Sequence, residues 1–537
     1  MPGAAVLDEL TAGLRPGDDT PALLGRRRVS RGDLAELRDR YAAALHARGL
    51  RPGDTLGVAV RPGARALAVL LAAYRMGLRI AVLDPSAGPD VLLARLALAR
   101  PALIVADAAA QAVAGWAAPL ARRAGLALPD LSRLAPTVTV GRRLPGSAPA
   151  LPPGGPLPAV FDGDGDAVVI FTSGTTASPR AVVHTRTGLG AGMRAVAELV
   201  RPRPGVPILG GMFFVLVPAL AVGAPVAVPA RRPGSLARQM TALRPQATYL
   251  TPPQLRAALD AGVPFGGRVY SGSAPVSAAL LDRVRAAGAE QAWCVYALTE
   301  VFPAAAVEAA GKAAHTADGD LVGELLPGVR ARLGPPPGAP SRPAPGTPQL
   351  PAPGASSGPG TRPGSAPSGP GPGTRPGSAP PGPAPGSDRA GELLLAGAGV
   401  CDRYLGAEPH EWIATGDLAR LDGRRVVLAG RAKDMILRRA ENIYPGLYEP
   451  SLHVPGVSLA VLVGIPATDG DEQVVAIVET APGADPSAVR AALRDPLRRM
   501  GAARPDRVLL APVPLAGRSR KPDRAAAAAF ARAEVRR

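Results

Sequence analysis

Residues 171 to 180 read Phe-Thr-Ser-Gly-Thr-Thr-Ala-Ser-Pro-Arg. Four hydroxyl side chains (Thr172, Ser173, Thr175, Thr176) surround Gly174, and Arg180 closes the run. Hydroxyls and backbone N–H groups in such a turn can donate to the oxygens of a polyphosphate, and a cation offsets their charge. The elements that must hold this loop flank it. Ala167–Ile170 is an apolar run that reads as a buried strand, and Ala181–Val183 reads as a second strand. By composition alone the cluster is also ordinary turn material. It is not a P-loop, because the pattern G-x-x-x-x-G-K-[ST] is absent from the chain.

Further along stand Ser271-Gly272-Ser273-Ala274-Pro275, Tyr296-Ala297-Leu298-Thr299-Glu300, Thr415-Gly416-Asp417 shortly after Trp412, and Gly430-Arg431-Ala432-Lys433-Asp434-Met435-Ile436. Each is weak alone: a T-G-D is a common turn, and Y-x-x-T-E can start a helix. The lysines add a sharper signal. Of 61 cationic residues only Lys312, Lys433 and Lys521 are lysine, so arginine is the default cation. Lys521 lies in Gly517-Arg518-Ser519-Arg520-Lys521-Pro522-Asp523-Arg524. A surface lysine placed by chance is the competing account.

Taken in order, these runs resemble the motifs of the adenylate-forming (ANL) superfamily: acyl-CoA synthetases, luciferases and peptide-synthetase adenylation domains. The likeness covers nearly the whole chain. It implies an α/β fold, with a large N-terminal domain of stacked mixed sheets and flanking helices and a small mobile α+β C-terminal domain. The expected limits are 1–432 for the large AMP-binding domain and 433–537 for the small lid domain. The resemblance assigns Thr172, Ser173, Gly174, Thr175, Thr176 and Arg180 to the pyrophosphate side of a nucleotide site. Ser273, Ala274 and Pro275 would pack on adenine, with Tyr296 stacked on the base. Thr299 would meet the α-phosphate, Glu300 would hold Mg²⁺, and Asp417 would take both ribose hydroxyls. Arg431 would also reach the nucleotide, and Lys433 would be the pivot between domains.

Lys521 would be the catalytic lysine. That role needs a mobile cation able to touch a carboxylate and an α-phosphate together, stabilising charge that builds on phosphorus oxygens. A compact ammonium on a long stem suits it better than a planar guanidinium. The implied reaction joins a carboxylic acid to ATP, with Mg²⁺, to give acyl-AMP. A domain rotation and transfer to coenzyme A would follow.

Asn442–Pro450 and Gly517–Lys521 resemble bacterial long-chain acyl ligases and olefin-pathway β-lactone synthetases. The substrate expected is therefore a fatty or other apolar acid. The alternatives are a β-lactone synthetase acting on a β-hydroxy acid without coenzyme A, and a divergent nucleotide-binding pseudoenzyme. A carrier protein as acyl acceptor stays open. The chain departs from the family at Ala177, Arg180, Ala181, Ala297 and Ala440, where relatives carry glycine or, at 180, lysine. Alanine is penalised wherever φ must be positive.

Composition bounds the rest. The chain has 537 residues, 47% of them hydrophobic, enough for more than one domain. The formal charge of +18 raises nucleic acid as a partner. Yet the arginines are scattered and aromatic residues are only 3%, which leaves little for base stacking, so a solvated basic surface is the expectation. Two cysteines and five dispersed histidines give neither a disulfide framework nor a metal spacing. The start, MPGAAVLDEL, lacks a signal-peptide pattern, which leaves a cytoplasmic setting as the expectation. Residues 206–230 carry no charge, but Pro207, Pro218, Pro225 and Pro229 interrupt them, so strand and helix pieces are expected rather than a membrane span. Strand–helix alternation from Leu56 to Val105 predicts a parallel α/β sheet. Residues 334–388 are Pro/Gly/Ser-rich and repeat GPGTRPGSAP twice, so a disordered insertion is expected, closing an enlarged hairpin.

Overall fold

The computed structural model describes residues 6–25, 27–83, 89–123, 130–131, 135–152, 154–171, 180–211, 213–335, 390–431, 434–438, 441–467, 472–516 and 520–536. Among them, seven strands form one sheet and thirteen form a second. In the first sheet the strands Thr55–Ala59, Arg79–Val82, Leu103–Asp107, Thr137–Val140 and Asp166–Phe171 run parallel. The helices Ala64–Arg75 and Pro89–Ala99 connect successive members. Their near-continuous apolar sequences match burial on both faces: Thr55–Ala59 and Leu103–Asp107 are buried at every position. The strand Ala181–Thr185 returns antiparallel to Asp166–Phe171 and accepts the two-residue strand Arg403–Tyr404 at the sheet edge.

The second sheet has two characters. Ala247–Tyr249, Arg268–Gly272 and Gln291–Tyr296 are parallel neighbours. Ala305–Glu308 then reverses direction, and from it the sheet continues antiparallel, in spatial order, through Asp320–Leu325, Arg425–Arg431, Ile413–Asp422 and Gly391–Gly397 to Val329–Gly334. The hairpin expected around the Pro/Gly segment is present: Val329 pairs with Gly397 and Gly334 with Glu392. The strand thus includes Gly334, and residues 336–388 of the segment lie outside the described residues.

The uncharged stretch 206–230 resolves into Ile208–Leu209, the helix Phe213–Ala221 and Val226–Ala227. Among the described residues no helix is long and apolar enough to cross a membrane.

The smaller C-terminal part has its own three-stranded sheet: Val457–Pro466, Glu472–Thr480 and Arg507–Leu510. The helices Pro486–Arg499 and Arg524–Arg536 supply separate apolar clusters, one containing Val489 and Leu493 and the other Ala527 and Ala531. Where the chain enters this part, Gly446 lies against Gly430: a Cβ on Gly446 would sit 2.6 Å from the Gly430 Cα. Gly430 itself has φ +132°, so the crossing requires glycine at both places.

Candidate active site

Two parallel strands end side by side and carry two of the sequence runs. Gly272 pairs with Val295, so the Ser273 turn and Tyr296 emerge together at the carboxyl edge, where open α/β sheets bind ligands. Ser273 turns the chain sharply, with φ +70°. That conformation is uncommon outside glycine, and here the Ser273 Oγ lies 2.9 Å from the half-buried Tyr249 hydroxyl. Ala274 is half-buried and Pro275 exposed.

Asp417 reaches the same edge from the antiparallel part of the sheet. It is buried, and its carboxylate accepts the Tyr296 hydroxyl at 2.6 Å. Its backbone N–H donates to the Thr415 Oγ1, which fixes the turn before it. Asp417 stands opposite Arg431 in the strand pairing. Ser273 and Tyr296 thus lie at the ends of one adjacent strand pair and Asp417 and Arg431 on another, and the Tyr296–Asp417 hydrogen bond joins the two pairs.

Thr299 and Glu300 follow Tyr296 in a tight bend. The His184 Nε2–H donates to the Thr299 carbonyl at 2.8 Å. Burial pushes the His184 pKa down to about 4, so the ring is neutral near pH 7. The Glu300 carboxylate accepts the Tyr404 hydroxyl at 3.0 Å, and the Glu300 carbonyl accepts the Cys401 N–H at 2.7 Å. Burial first, and then the Glu300 charge, pushes the Tyr404 hydroxyl up to about 12. The Arg180 guanidinium lies 5.4 Å from the centre of the Tyr404 ring.

Thr172, Ser173, Gly174, Thr175, Thr176 and Ala177 lie outside the described residues, as do Lys433 and Ala440. Both ends of the hydroxyl loop are fixed: Phe171 ends one strand and Arg180 precedes the next. Ala181 lies in an extended strand and Ala297 follows one, and neither has a positive φ, so alanine carries no backbone penalty there.

Lys521 is exposed on the two-residue strand Lys521–Pro522, paired with Leu515–Ala516. Three residues on, Arg524 anchors the segment. Its guanidinium donates to both oxygens of Glu449 at 2.7 and 2.8 Å, and lies 3.1 Å from the Asp434 carboxylate. These carboxylates raise the Arg524 pKa against the opposing effect of burial. The lysine segment is thus tied to Asp434, the neighbour of the expected pivot.

Sequence reasoning missed His184, Tyr404 and Cys401, because their partners lie about a hundred residues away along the chain. Lys312 stood out by sequence but belongs to the interior. It is buried, and its ammonium donates to Asp320 at 2.5 Å and to the Leu321 carbonyl at 2.8 Å. Cys294 and Cys401 are free and buried, and burial pushes their thiols up to about 11 and about 12.

An AMP-binding enzyme family model matches residues 11–346, and the chain belongs to that family. Among curated proteins it is 32% identical over 174 residues to the medium/long-chain-fatty-acid–CoA ligase FadD6 of Mycobacterium tuberculosis. That match covers 32% of this chain and 27% of the relative. It is 28% identical over 296 residues to the olefin beta-lactone synthetase of Stenotrophomonas maltophilia, covering 50% of each. The matched segments thus span only a quarter to a half of these relatives' lengths. Among solved structures, the amide bond synthetase McbA of Marinactinospora thermotolerans superposes with TM-score 0.73 at 22% identity, over 98% of this chain and 99% of that one. The o-succinylbenzoate CoA synthetase MenE of Bacillus subtilis, solved with an acyl-adenylate intermediate, gives TM-score 0.70 at 15% identity, over 97% of both chains. The fold is that of the adenylate-forming enzymes, as the resemblance implied.

Proposed function

We propose that this protein activates an apolar carboxylic acid with ATP to an acyl-adenylate and then passes the acyl group to coenzyme A. The carrying observation is the buried Asp417 carboxylate, fixed by the Tyr296 hydroxyl at the strand edge where the Ser273 turn also opens. A fixed anionic acceptor there suits a ribose diol, and the neighbouring turn suits a flat base. Glu300 suits Mg²⁺, which takes one or two carboxylates and fills its remaining positions with phosphate oxygens and water. When bound, Mg²⁺ would neutralise charge on the phosphates and the leaving pyrophosphate.

A carboxylate oxygen of the acid attacks the α-phosphorus of ATP, the bond to the bridging oxygen breaks, and pyrophosphate departs. Thr299, held through its carbonyl by His184, would orient the α-phosphate. Lys521 would stabilise the charge that develops on its oxygens, and Arg180 would face the pyrophosphate. In the second step the coenzyme A thiol loses its proton and attacks the acyl carbon, and AMP leaves.

An apolar substrate is supported by the uncharged helix Phe213–Ala221, whose Phe214 ring lies tilted with its centre 3.8 Å from that of Phe302, two residues beyond Glu300. A second reading replaces coenzyme A with another acceptor. It is favoured by the match over half the chain to an olefin beta-lactone synthetase and by the fold of an amide bond synthetase. Mass spectrometry of products from a β-hydroxy acid, with and without coenzyme A, separates the two. A thioester supports the first reading. A lactone formed equally well without coenzyme A supports the second.

A further inference from the structure

One four-residue segment grips both ends of Glu300. The Cys401 N–H donates to its carbonyl at 2.7 Å, and the Tyr404 hydroxyl donates to its carboxylate at 3.0 Å. The segment itself is locked onto the first sheet. The Asp402 N–H donates to the Val183 carbonyl at 2.9 Å, and the Leu405 N–H to the Ala181 carbonyl at 2.8 Å. Arg403 between them pairs with Asp166 at 2.9 Å, and Asp166 is also held by Arg79 at 3.0 Å. Tyr404 is therefore not a mobile surface side chain that happens to meet a carboxylate. Its backbone is nailed to Ala181–Thr185, the strand that begins directly after Arg180.

The same ring faces Arg180. The guanidinium lies 5.4 Å from the ring centre, within the range of a cation–π contact. Tyr404 thus joins two groups brought from distant parts of the chain: the cation that closes the hydroxyl loop and the carboxylate suited to a metal.

We infer that Tyr404 is a positioning residue for MgATP. Its hydroxyl aims the Glu300 carboxylate at the metal, and its ring holds Arg180 on the pyrophosphate side. The inference rests on the adenylation reading of the site. Tyr404 touches Glu300 and Arg180 rather than the reacting atoms, so its loss is expected to weaken metal-dependent nucleotide binding without affecting the adenosine contacts. An aligned hydrogen bond to a charged group contributes enough to change binding by about 10-fold.

Calorimetric titration tests this on the full chain with three probes: AMP, the non-hydrolysable analogue AMPPNP with Mg²⁺, and AMPPNP without it. Tyr404→Phe keeps the ring and removes the hydroxyl. It is expected to bind AMP like the wild type, to bind Mg-AMPPNP about 10-fold more weakly, and to need more Mg²⁺ for half-saturation. Tyr404→Leu removes the ring as well and is expected to weaken metal-free AMPPNP binding too. In a Glu300→Gln background, Tyr404→Phe is expected to add little further loss. Unchanged Mg²⁺ dependence in a Tyr404→Phe protein that binds AMP normally would overturn the inference and leave the adenylation reading standing. Equal losses for AMP and Mg-AMPPNP would show a general structural role and would also overturn it. A wild-type protein that binds neither nucleotide would sink both.

Discussion

His184 offers a quantitative test of how the Thr299 bend is held. Its ring is fully buried, and one nitrogen donates to the Thr299 carbonyl. The other, Nδ1, is buried with no hydrogen-bond partner among the described residues. Protonation would place a second N–H at Nδ1 with nothing to receive it, and a charge against the edge of Phe302, whose ring lies 5.1 Å away. Burial therefore lowers the pKa from 6.5 to about 4, with no ion pair involved. Because the folded value is depressed, the neutral ring favours folding. This stability is fully present above pH 6.5 and falls as the pH drops toward 4. At about 1.4 kcal/mol per unit, the loss approaches ~3 kcal/mol below that window. The assay is urea unfolding from pH 7.5 to 4 of the wild type and His184→Gln, which can keep a donor to Thr299 but does not titrate. The stability difference between the two proteins is expected to shift by about 3 kcal/mol in favour of the variant as the pH falls. A difference that stays flat across the window would refute the reasoning.

Other perturbations follow from single contacts. Tyr296→Phe removes the donor to the buried Asp417 carboxylate, and KM for ATP is expected to rise roughly 10-fold or more, read by ATP–pyrophosphate exchange. Lys312→Met leaves Asp320 and the Leu321 carbonyl without their ammonium, so a loss of about 3 kcal/mol is expected in denaturant unfolding, with KM for ATP little changed. Replacing residues 336–389 by a short Gly/Ser linker closes the hairpin that already pairs Gly334 with Glu392. Activity should persist and stability should rise by about 1–2 kcal/mol, measured as an increase in the urea midpoint.

The parts of the fold legible in the sequence were those with local periodicity. Thr55–Ala59, Ala64–Arg75, Arg79–Val82, Leu103–Asp107 and the strands flanking the hydroxyl loop announce themselves by apolar runs and breakers. The strand edge that holds Ser273, Tyr296 and Asp417 was legible only as separate motifs. Sequence order cannot say that the Tyr296 hydroxyl would meet Asp417, because some 120 residues of chain lie between them. The two-residue strand at Tyr404 has no periodicity to read, and its importance comes wholly from tertiary pairing. Whether a lost glycine costs anything depends on φ, which sequence does not show; at Ala181 and Ala297 the backbone stays in ordinary regions, so the penalty does not arise. Lysine scarcity pointed to Lys312 as readily as to Lys521, yet the first is a buried partner of Asp320 and the second lies exposed in the C-terminal part.

The central claim, acid activation by adenylation, is tested most directly by trapping the activated acyl group. Hydroxylamine is added to the full-length protein with MgATP and a panel of apolar carboxylic acids, and hydroxamate and pyrophosphate are measured for the wild type and Lys521→Ala. The account predicts hydroxamate and pyrophosphate in equal amounts with at least one apolar acid, and a loss of about 100-fold or more in Lys521→Ala. A protein that binds MgATP yet yields no hydroxamate with any acid would contradict it, as would a Lys521→Ala variant that activates the acid at the wild-type rate.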